Sequence, residues 1–339
     1  MSTEVVAVLR LAPLALGWPS VYRFVRRDIG EIIEVFDRTV GPIIDASVTG
    51  VGRRRQISRV LLSTSVKVCL AMSGYAQATG IAFRADRAVL GSSFTRVYDD
   101  LFDNFRAPDL DERLTVLFDG GSFQPRSDAE TMLLGLYRAI EAVLRREDSA
   151  PVHAALRRMH RFQIQSRRQR GSAVSGRTLR RITRGKGGLG TAALFGLLRP
   201  ALSPLDRRLL VELGDVLQVL DDFHDVALDR AAGVTTEVTS GSITVIETGR
   251  RIGDLYREFH HRHPAGSRDR LFGMLFMMLA GGLVHQLIDR HRQRSGTLTR
   301  PCPPAAEPDP TDRRPYRLLF WPAGNIGPVA ENPHADDSG

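Results

Sequence analysis

The sequence is poor in cysteine and in lysine. Two cysteines, Cys69 and Cys302, are too few for a disulfide framework and indicate a reducing, cytoplasmic setting. Of the 47 basic residues only Lys67 and Lys186 are lysines, which leaves 45 arginines. Coding bias is a sufficient explanation of the arginine excess. The same bias makes each remaining lysine a candidate for a specific role.

Long hydrophobic runs and a recognisable signal peptide are also missing. The longest apolar run, Leu271 to Val284, has 14 residues. That length is short for a membrane span and typical of a buried core helix. Near the start, Glu4 precedes the first apolar run and Arg10 interrupts it, unlike a signal peptide. We therefore expect no membrane span.

Proline-rich punctuation is sparse before residue 295, which favours one helical domain over residues 20–295 after an N-terminal segment at 1–19. Residues 107–127 hold prolines, glycines and acids and are expected to form a loop. After Thr297 the composition changes to RPCPPAAEPDPTDRRP, which is typical of a flexible tail, here 296–339.

The stretch from Gly214 to Arg230, GDVLQVLDDFHDVALDR, has two different helical faces. An apolar face continues from Leu209 and is expected to pack in a core. The other face is acidic and carries Gln218 as well. Acids at i,i+3 and i,i+4 spacing repel one another, so a compensating cation is expected. The simpler alternative is a solvated acidic face. The acidic face carries Asp215, Asp222, Asp225 and Asp229, with Asp221 at its edge.

The same acidic pattern, D-D-x-x-D, occurs twice. Its first copy is Asp99, Asp100 and Asp103, and its second copy is Asp221, Asp222 and Asp225. Each follows an apolar helical run, and two inward-facing acidic helices of a bundle make a natural metal cage. Mg2+ prefers oxygen ligands and is usually held by one or two carboxylates together with substrate phosphates.

Positive charge accompanies the acidic motifs. Arg53, Arg54 and Arg55 open a helical run, where an anion is favoured, although a solvated basic turn explains them too. Between the motifs, the segment ITRGKGGL places three glycines around Lys186. Such a break allows close backbone approach to a ligand and presents the lysine to a phosphate. The net charge of +9 permits nucleic acid, an anionic membrane or a diphosphate as partner.

Over about residues 50–295 the layout resembles the class I isoprenoid synthases, meaning the trans-prenyl diphosphate synthases and the terpene synthases. The resemblance implies an all-α fold, a single large helical bundle with a central active-site cavity, and three Mg2+ ions. It implies metal-binding and catalytic roles for both aspartate motifs. It also implies substrate-binding roles for a second group of residues. These are Arg54, Arg55, Phe94, Arg106, Lys186 and Gln218.

Some positions depart from the pattern of the prenyl diphosphate synthases. Where those enzymes carry R-R-G after the first motif, this chain has Arg106-Ala107-Pro108. Where they carry a lysine–threonine pair, it has Lys186-Gly187. These changes put the second, isopentenyl diphosphate site in doubt. The aspartate-rich second motif argues the other way, since terpene cyclases usually carry an N-S-E motif there.

The first functional hypothesis is a terpene synthase that ionises one allylic diphosphate and cyclises the carbocation. The alternative is a prenyl transferase that adds isopentenyl diphosphate, and head-to-head condensation is a third. A non-enzymatic arginine-rich binder of nucleic acid or membrane is a distant alternative, because two acidic motifs without metal repel phosphate. We expect a cytoplasmic enzyme with no nucleic-acid partner. The sequence is compatible with a homodimer and does not fix the oligomeric state.

Overall fold

The chain folds into an assembly of α-helices in which no strand occurs among the residues that the structure, a computed structural model, describes. These residues are 3–104, 109–144, 149–170 and 174–294; at 103, 104, 289, 290 and 292–294 the backbone alone is described. The all-α prediction is therefore confirmed. The helices are α1 Thr3–Leu9, α2 Trp18–Arg23, α3 Ile29–Thr39, α4 Gly41–Ser47, α5 Val51–Thr79, α6 Ala85–Asn104, α7 Leu110–Phe118, α8 Asp128–Val143, α9 Ala150–Ser166, α10 Gly176–Thr183, α11 Leu189–Gly196, α12 Pro204–His224, α13 Val226–Ala231, α14 Val245–Arg262 and α15 Asp269–Arg294.

Side-chain caps fix where several helices begin. Ser203 precedes α12 and its hydroxyl accepts a hydrogen bond from the Asp206 N–H at 3.0 Å, with Pro204 as the first helical residue. Ser127 caps α8 and Thr244 caps α14 in the same way, accepting from the N–H three residues on. A hydroxyl that occupies one otherwise unpaired N–H makes these starts local properties of the sequence.

The core is continuous and mainly aliphatic. Leu209, Leu213, Val216 and Leu220 of α12 are buried, as the apolar face predicted. The expected loop at 107–127 is wrong in part, because α7 lies inside it. Leu110, Leu114 and Leu117 of α7 are buried at helical spacing, and this burial outweighs the proline and glycine at the two ends.

Within the described residues, two helices are long and apolar enough to cross a membrane by length and composition, Val51–Thr79 and residues 269–288 of α15. Of their most apolar windows, 72% and 44% are buried inside the protein. The bent pair Thr3–Leu9 and residues 12–47 adds a third if it counts as one span. The sequence search considered only uninterrupted apolar runs. The absence of a membrane span therefore stays a prediction.

Candidate active site

The second aspartate motif lies at the end of α12, where the helix stops and α13 begins. Asp221 and Asp222 are in the last turn, and Asp225 is the residue between the two helices. Asp222 is 8% exposed and accepts a hydrogen bond from the Gln218 side-chain amide at 3.0 Å. The sequence expected one helix as far as Arg230, but the chain breaks at Asp225. This break leaves Asp225 at the junction and places Asp229 on the separate short helix α13.

The first aspartate motif lies near the end of α6. The negative charge of Asp99 contributes to the raised pKa of Asp221, so the first motif lies within electrostatic range of the second. A metal cage formed by both motifs stays a prediction. Asp103 is in the part of α6 whose side chains lie outside the described residues, and Arg106 lies outside them altogether. The predicted roles of Asp103 and Arg106 remain predictions.

Asp100 differs from its neighbour, because an arginine one turn earlier on the same helix holds it. Arg96 donates two hydrogen bonds to the two Asp100 carboxylate oxygens, at 2.8 and 3.0 Å, and Asp100 is 3% exposed. Such a bidentate pair compensates the Asp100 charge and uses one lone pair on each of its oxygens. The structure therefore assigns Asp100 to an ion pair and gives no support to its expected role as a metal ligand.

The glycines around Lys186 form a single π turn, residues 184–188, between α10 and α11. A Cβ on Gly187 would lie 2.5 Å from the Gln218 Cβ and 2.7 Å from the Gly214 carbonyl oxygen. A Cβ on Gly214 would in turn lie 2.4 Å from the Gly187 carbonyl oxygen. The predicted break exists, and its glycines let the chain approach α12 closely, while Gly187 also lines the cavity described below. Close approach of this backbone to a ligand stays a prediction. Its effect is to bring Lys186 next to the acidic end of α12.

Lys186 and Lys67 both act on the acidic cluster. The positive charge of Lys186 favours the ionised forms of Asp221, Asp222 and Asp229. Lys67, from α5, has the same effect on Asp221 and Asp225. Burial lowers the pKa of Lys67, the Asp221 charge opposes that effect, and the Arg96 charge adds to it. The sequence analysis singled out Lys186 and missed Lys67. Their shared rarity in the chain was the signal that could have found both.

The carboxylates of the cluster are crowded and repel one another. Burial raises the pKa of Asp222 to about 7, with a contribution from the Asp221 charge. Asp221 keeps contact with solvent, yet desolvation by the surrounding protein, together with Asp225, raises its pKa to about 6. Burial and the same neighbours raise the pKa of Asp229 to about 6. A positive charge bound here would lower all three pKa values.

A divalent cation fits this donor set by its chemistry, since carboxylate oxygens are the ligands that Mg2+ prefers and their mutual repulsion needs a counter-charge. Among the side chains that the structure describes, no three carboxylate, imidazole or thiol groups already converge into a metal site. Asp99, Asp221, Asp222 and Asp225 are the residues that would hold the ion, with Asp103 outside the described side chains. Three Mg2+ ions remain a prediction.

The early arginines are engaged away from this cluster. Arg54 donates to the Val48 carbonyl oxygen at 2.8 Å and pairs with Asp45 at 3.6 Å. Arg55 is exposed at the start of α5. The structure therefore engages Arg54 with partners other than the aspartates, and the predicted substrate-binding role of Arg55 stays a prediction. Asp215, predicted on the acidic face, also belongs elsewhere: it pairs with Arg251 and, at 3.5 Å, with Arg184.

An apolar cavity of about 200 Å3 opens beside the cluster. Asp99, Lys186 and Gln218 form its polar mouth, while Phe94 and Tyr98 contribute aromatic walls. Phe94 is 6% exposed, and its ring centroid lies 6.1 Å from that of Tyr98 and 6.2 Å from that of Tyr137. Phe94 thus lines the same cavity as Asp99, and its predicted role in limiting the depth of a substrate pocket stays a prediction. A charged mouth over a hydrocarbon-lined cavity suits a ligand with an anionic head and an apolar chain.

Comparison with known proteins gives a modest structural likeness. No family model and no curated protein matches the chain. Among solved structures, a geranyltransferase from Legionella pneumophila is similar with a TM-score of 0.45 and 16% identity, covering 78% of this chain and 99% of that one. A geranylgeranyl pyrophosphate synthase is similar with a TM-score of 0.33 and 12% identity, covering 82% and 90%. Both names belong to the superfamily that the sequence resembles. At these values the proposed function rests on the residues of the site itself.

Proposed function

We propose that the chain is a class I terpene synthase, which uses Mg2+ to ionise one allylic isoprenoid diphosphate and guides the resulting carbocation to a cyclic product. The observation that carries the proposal is that Asp99 and Lys186, which both line one apolar cavity, act electrostatically on Asp221 at the end of α12, as Lys67 does from α5. The diphosphate would bind at the mouth, and the isoprenoid chain would extend into the cavity.

The aspartates and lysines would act on the leaving group. Asp99, Asp221, Asp222 and Asp225 would hold Mg2+, which supplies charge to neutralise the departing diphosphate. Lys186 and Lys67 would add point charges to its oxygens. Because negative charge on the diphosphate increases as the C–O bond breaks, these cations stabilise the transition state more than the ground state.

The cavity walls would act on the carbocation. Phe94 and Tyr98 present aromatic side chains there, and a cation over an aromatic face gains up to about 2 kcal/mol when water is excluded. Phe102 and Phe223, the aromatic residues next to the two motifs, are buried, and neither is among the residues lining this cavity. Phe102 contributes indirectly by packing on Tyr98, with ring centroids 4.9 Å apart.

Chain elongation with isopentenyl diphosphate is the second candidate. The aspartate-rich second motif and the hydrogen bond between Gln218 and Asp222 favour it. The two similar solved structures carry prenyl synthase names, but their low TM-scores leave the choice to experiment. The contacts of Arg54 with Asp45 and with the Val48 carbonyl oxygen argue against chain elongation. A second diphosphate needs cations of its own, and Arg54 already has these partners.

One experiment separates the two candidates. The protein is incubated with Mg2+ and geranyl, farnesyl or geranylgeranyl diphosphate, with and without isopentenyl diphosphate, and both inorganic diphosphate and hexane-soluble products are measured. Cyclisation predicts diphosphate release and a hydrocarbon or alcohol from a single substrate, with no lengthening when isopentenyl diphosphate is added. If every single substrate is inert and a longer diphosphate forms only with isopentenyl diphosphate, elongation is the function.

A further inference from the structure

Among the described residues that line the cavity there is one histidine, His153, in the first turn of α9. Aliphatic residues such as Leu144, Val152 and Leu156 line the same cavity. An imidazole is therefore present on a wall that is otherwise largely hydrocarbon.

The other titratable groups of the cavity wall are unsuited to accept a proton from a hydrocarbon chain. Asp99 and Lys186 lie at the mouth. Burial raises the pKa of both Tyr98 and Tyr137 above the ordinary phenol value, so each hydroxyl keeps its proton. His153 is the remaining titratable residue among those described as lining this cavity, and an imidazole is a base when neutral.

The surroundings keep the His153 imidazole neutral and give a proton a way out. Burial lowers its pKa, the Glu141 charge opposes that effect, and the Arg157 charge adds to it. Its position in the first turn of α9 also disfavours a positive charge. The ring packs edge-to-face against Tyr137, with centroids 6.3 Å apart. Tyr137 and Glu141 both line a separate open groove of about 780 Å3, so water is close on the outer side.

From this arrangement we propose that His153 is the proton acceptor that ends the reaction inside the cavity. The inference rests on the proposed function. After the C–O bond breaks and diphosphate leaves with the electron pair, the cation loses a proton from a carbon next to the charged one. The C–H electron pair becomes the new double bond, and the proton passes to an imidazole nitrogen. The imidazolium then releases the proton to water on the groove side, and the enzyme is restored.

The test compares His153→Phe and His153→Ala with the wild type and with His260→Ala, an exposed histidine of α14. Each is incubated with Mg2+ and the accepted allylic diphosphate, while diphosphate release and the ratio of olefin to alcohol are measured. Both His153 variants should keep diphosphate release within about threefold and lower the share of the wild-type olefin at least tenfold. Alcohols or olefins quenched earlier should replace it. Added imidazole should restore part of the olefin in His153→Ala but not in His153→Phe, where the ring fills the space.

Several outcomes overturn the inference. An unchanged product ratio in both variants, with unchanged diphosphate release, shows that another base acts. A wild type that releases diphosphate and makes only an alcohol needs no base in the cavity. A wild type that releases no diphosphate from any single substrate refutes the proposed function, and the role of His153 with it. His153→Phe keeps most of the side-chain volume, so it serves as the folded variant if the alanine variant is unstable.

Discussion

Lys67 and Lys186, the only two lysines of the chain, act on the same carboxylate, that of Asp221. They approach it from different parts of the fold, Lys67 from the middle of α5 and Lys186 from the π turn before α11. In a chain with 45 arginines, coding bias alone would not place both lysines at one site. A compact ammonium with freely rotating donors suits a diphosphate whose oxygens move as it departs.

We expect Lys67→Gln and Lys186→Ala each to lower kcat/KM for diphosphate release by about 10- to 100-fold, because each removes a charge-assisted hydrogen bond worth about 1.5–3 kcal/mol. The measurement is steady-state release of inorganic diphosphate, with circular dichroism to confirm folding. Lys67→Arg should recover part of the loss. Arg257→Gln, at an exposed side chain of α14, is the matched control. Wild-type kinetics in either lysine variant would mean that this lysine does not bind the diphosphate.

The two adjacent aspartates of the first motif should respond differently to substitution. Asp99→Ala, Asp103→Ala and Asp222→Ala should abolish turnover and keep the helical fold, since each removes a proposed metal ligand and no core volume. Asp100→Ala should instead unfold at a lower temperature, because it leaves Arg96 without its bidentate partner, at a cost of about 3–5 kcal/mol.

Thermal melts and diphosphate release with Mg2+ or with a chelator check this contrast. Asp254→Ala, at an exposed acid of α14, is the control. Activity near that of the wild type in any two of the three proposed ligand variants, or activity that survives chelation, would mean that no metal cage exists here.

Burial of Asp222, together with repulsion from its acidic neighbours, should appear as a pH-dependent loss of stability. The pKa of Asp222 in the folded protein, about 7, lies above its ordinary value of 3.8. The folded state therefore holds this proton more tightly than the unfolded state, and stability falls as pH rises from about 4 to about 7. Without metal, Asp222→Asn should raise the free energy of unfolding at pH 7.5 by about 1–3 kcal/mol. The gain should vanish near pH 4.

Denaturant unfolding in a chelator at both pH values measures this difference. Asp254→Asn should show no comparable gain at pH 7.5. Adding Mg2+ should then stabilise the wild type more than Asp222→Asn, because the ion binds the ionised carboxylates. A variant that is less stable than the wild type at pH 7.5 would mean that another positive charge already compensates Asp222.

Local signals made the helices and the acidic motifs predictable. Ser203 before Pro204 determines where α12 begins. The helical spacing of the apolar residues in α12 determines which face of the helix is buried. The i,i+4 spacing of Arg96 and Asp100 was equally visible, and it was the signal that Asp100 forms an ion pair. The resemblance to the class I isoprenoid synthases implied a metal-binding role for Asp100 instead.

Other features depend on tertiary structure that the sequence does not display. Gly187 approaches Gly214 and Gln218 of α12, which are distant from it in the sequence. This approach is therefore not visible in the sequence, and the glycines alone predicted only close approach to a ligand. Likewise Arg54 forms an ion pair with Asp45 and donates a hydrogen bond to the Val48 carbonyl oxygen. These partners come close to Arg54 because α4 packs against α5. His153 had no motif at all; only the cavity it lines distinguishes it from the other histidines.

The depth of the cavity is set by aromatic side chains on α6 and α8. Tyr137 lines both the cavity and the outer groove of about 780 Å3, so its side chain separates the two spaces. Phe94 stands one and a half helical turns before Asp99, between Tyr98 and Tyr137. Because its ring is almost fully packed, Phe94→Ala should cost about 3–5 kcal/mol of stability.

Substitution of either ring should therefore change which isoprenoid chain the enzyme accepts. Phe94→Ala should enlarge the cavity and admit a longer allylic diphosphate or change the product profile. Tyr137→Ala should do more, because it joins the cavity to the groove, whereas Tyr137→Phe keeps the ring and should behave like the wild type. Product analysis with geranyl, farnesyl and geranylgeranyl diphosphate measures the preference. Since water also enters through the opening, Tyr137→Ala should raise the share of alcohol products. Unchanged substrate preference and unchanged alcohol content in Tyr137→Ala would mean that this cavity is not where the isoprenoid chain binds.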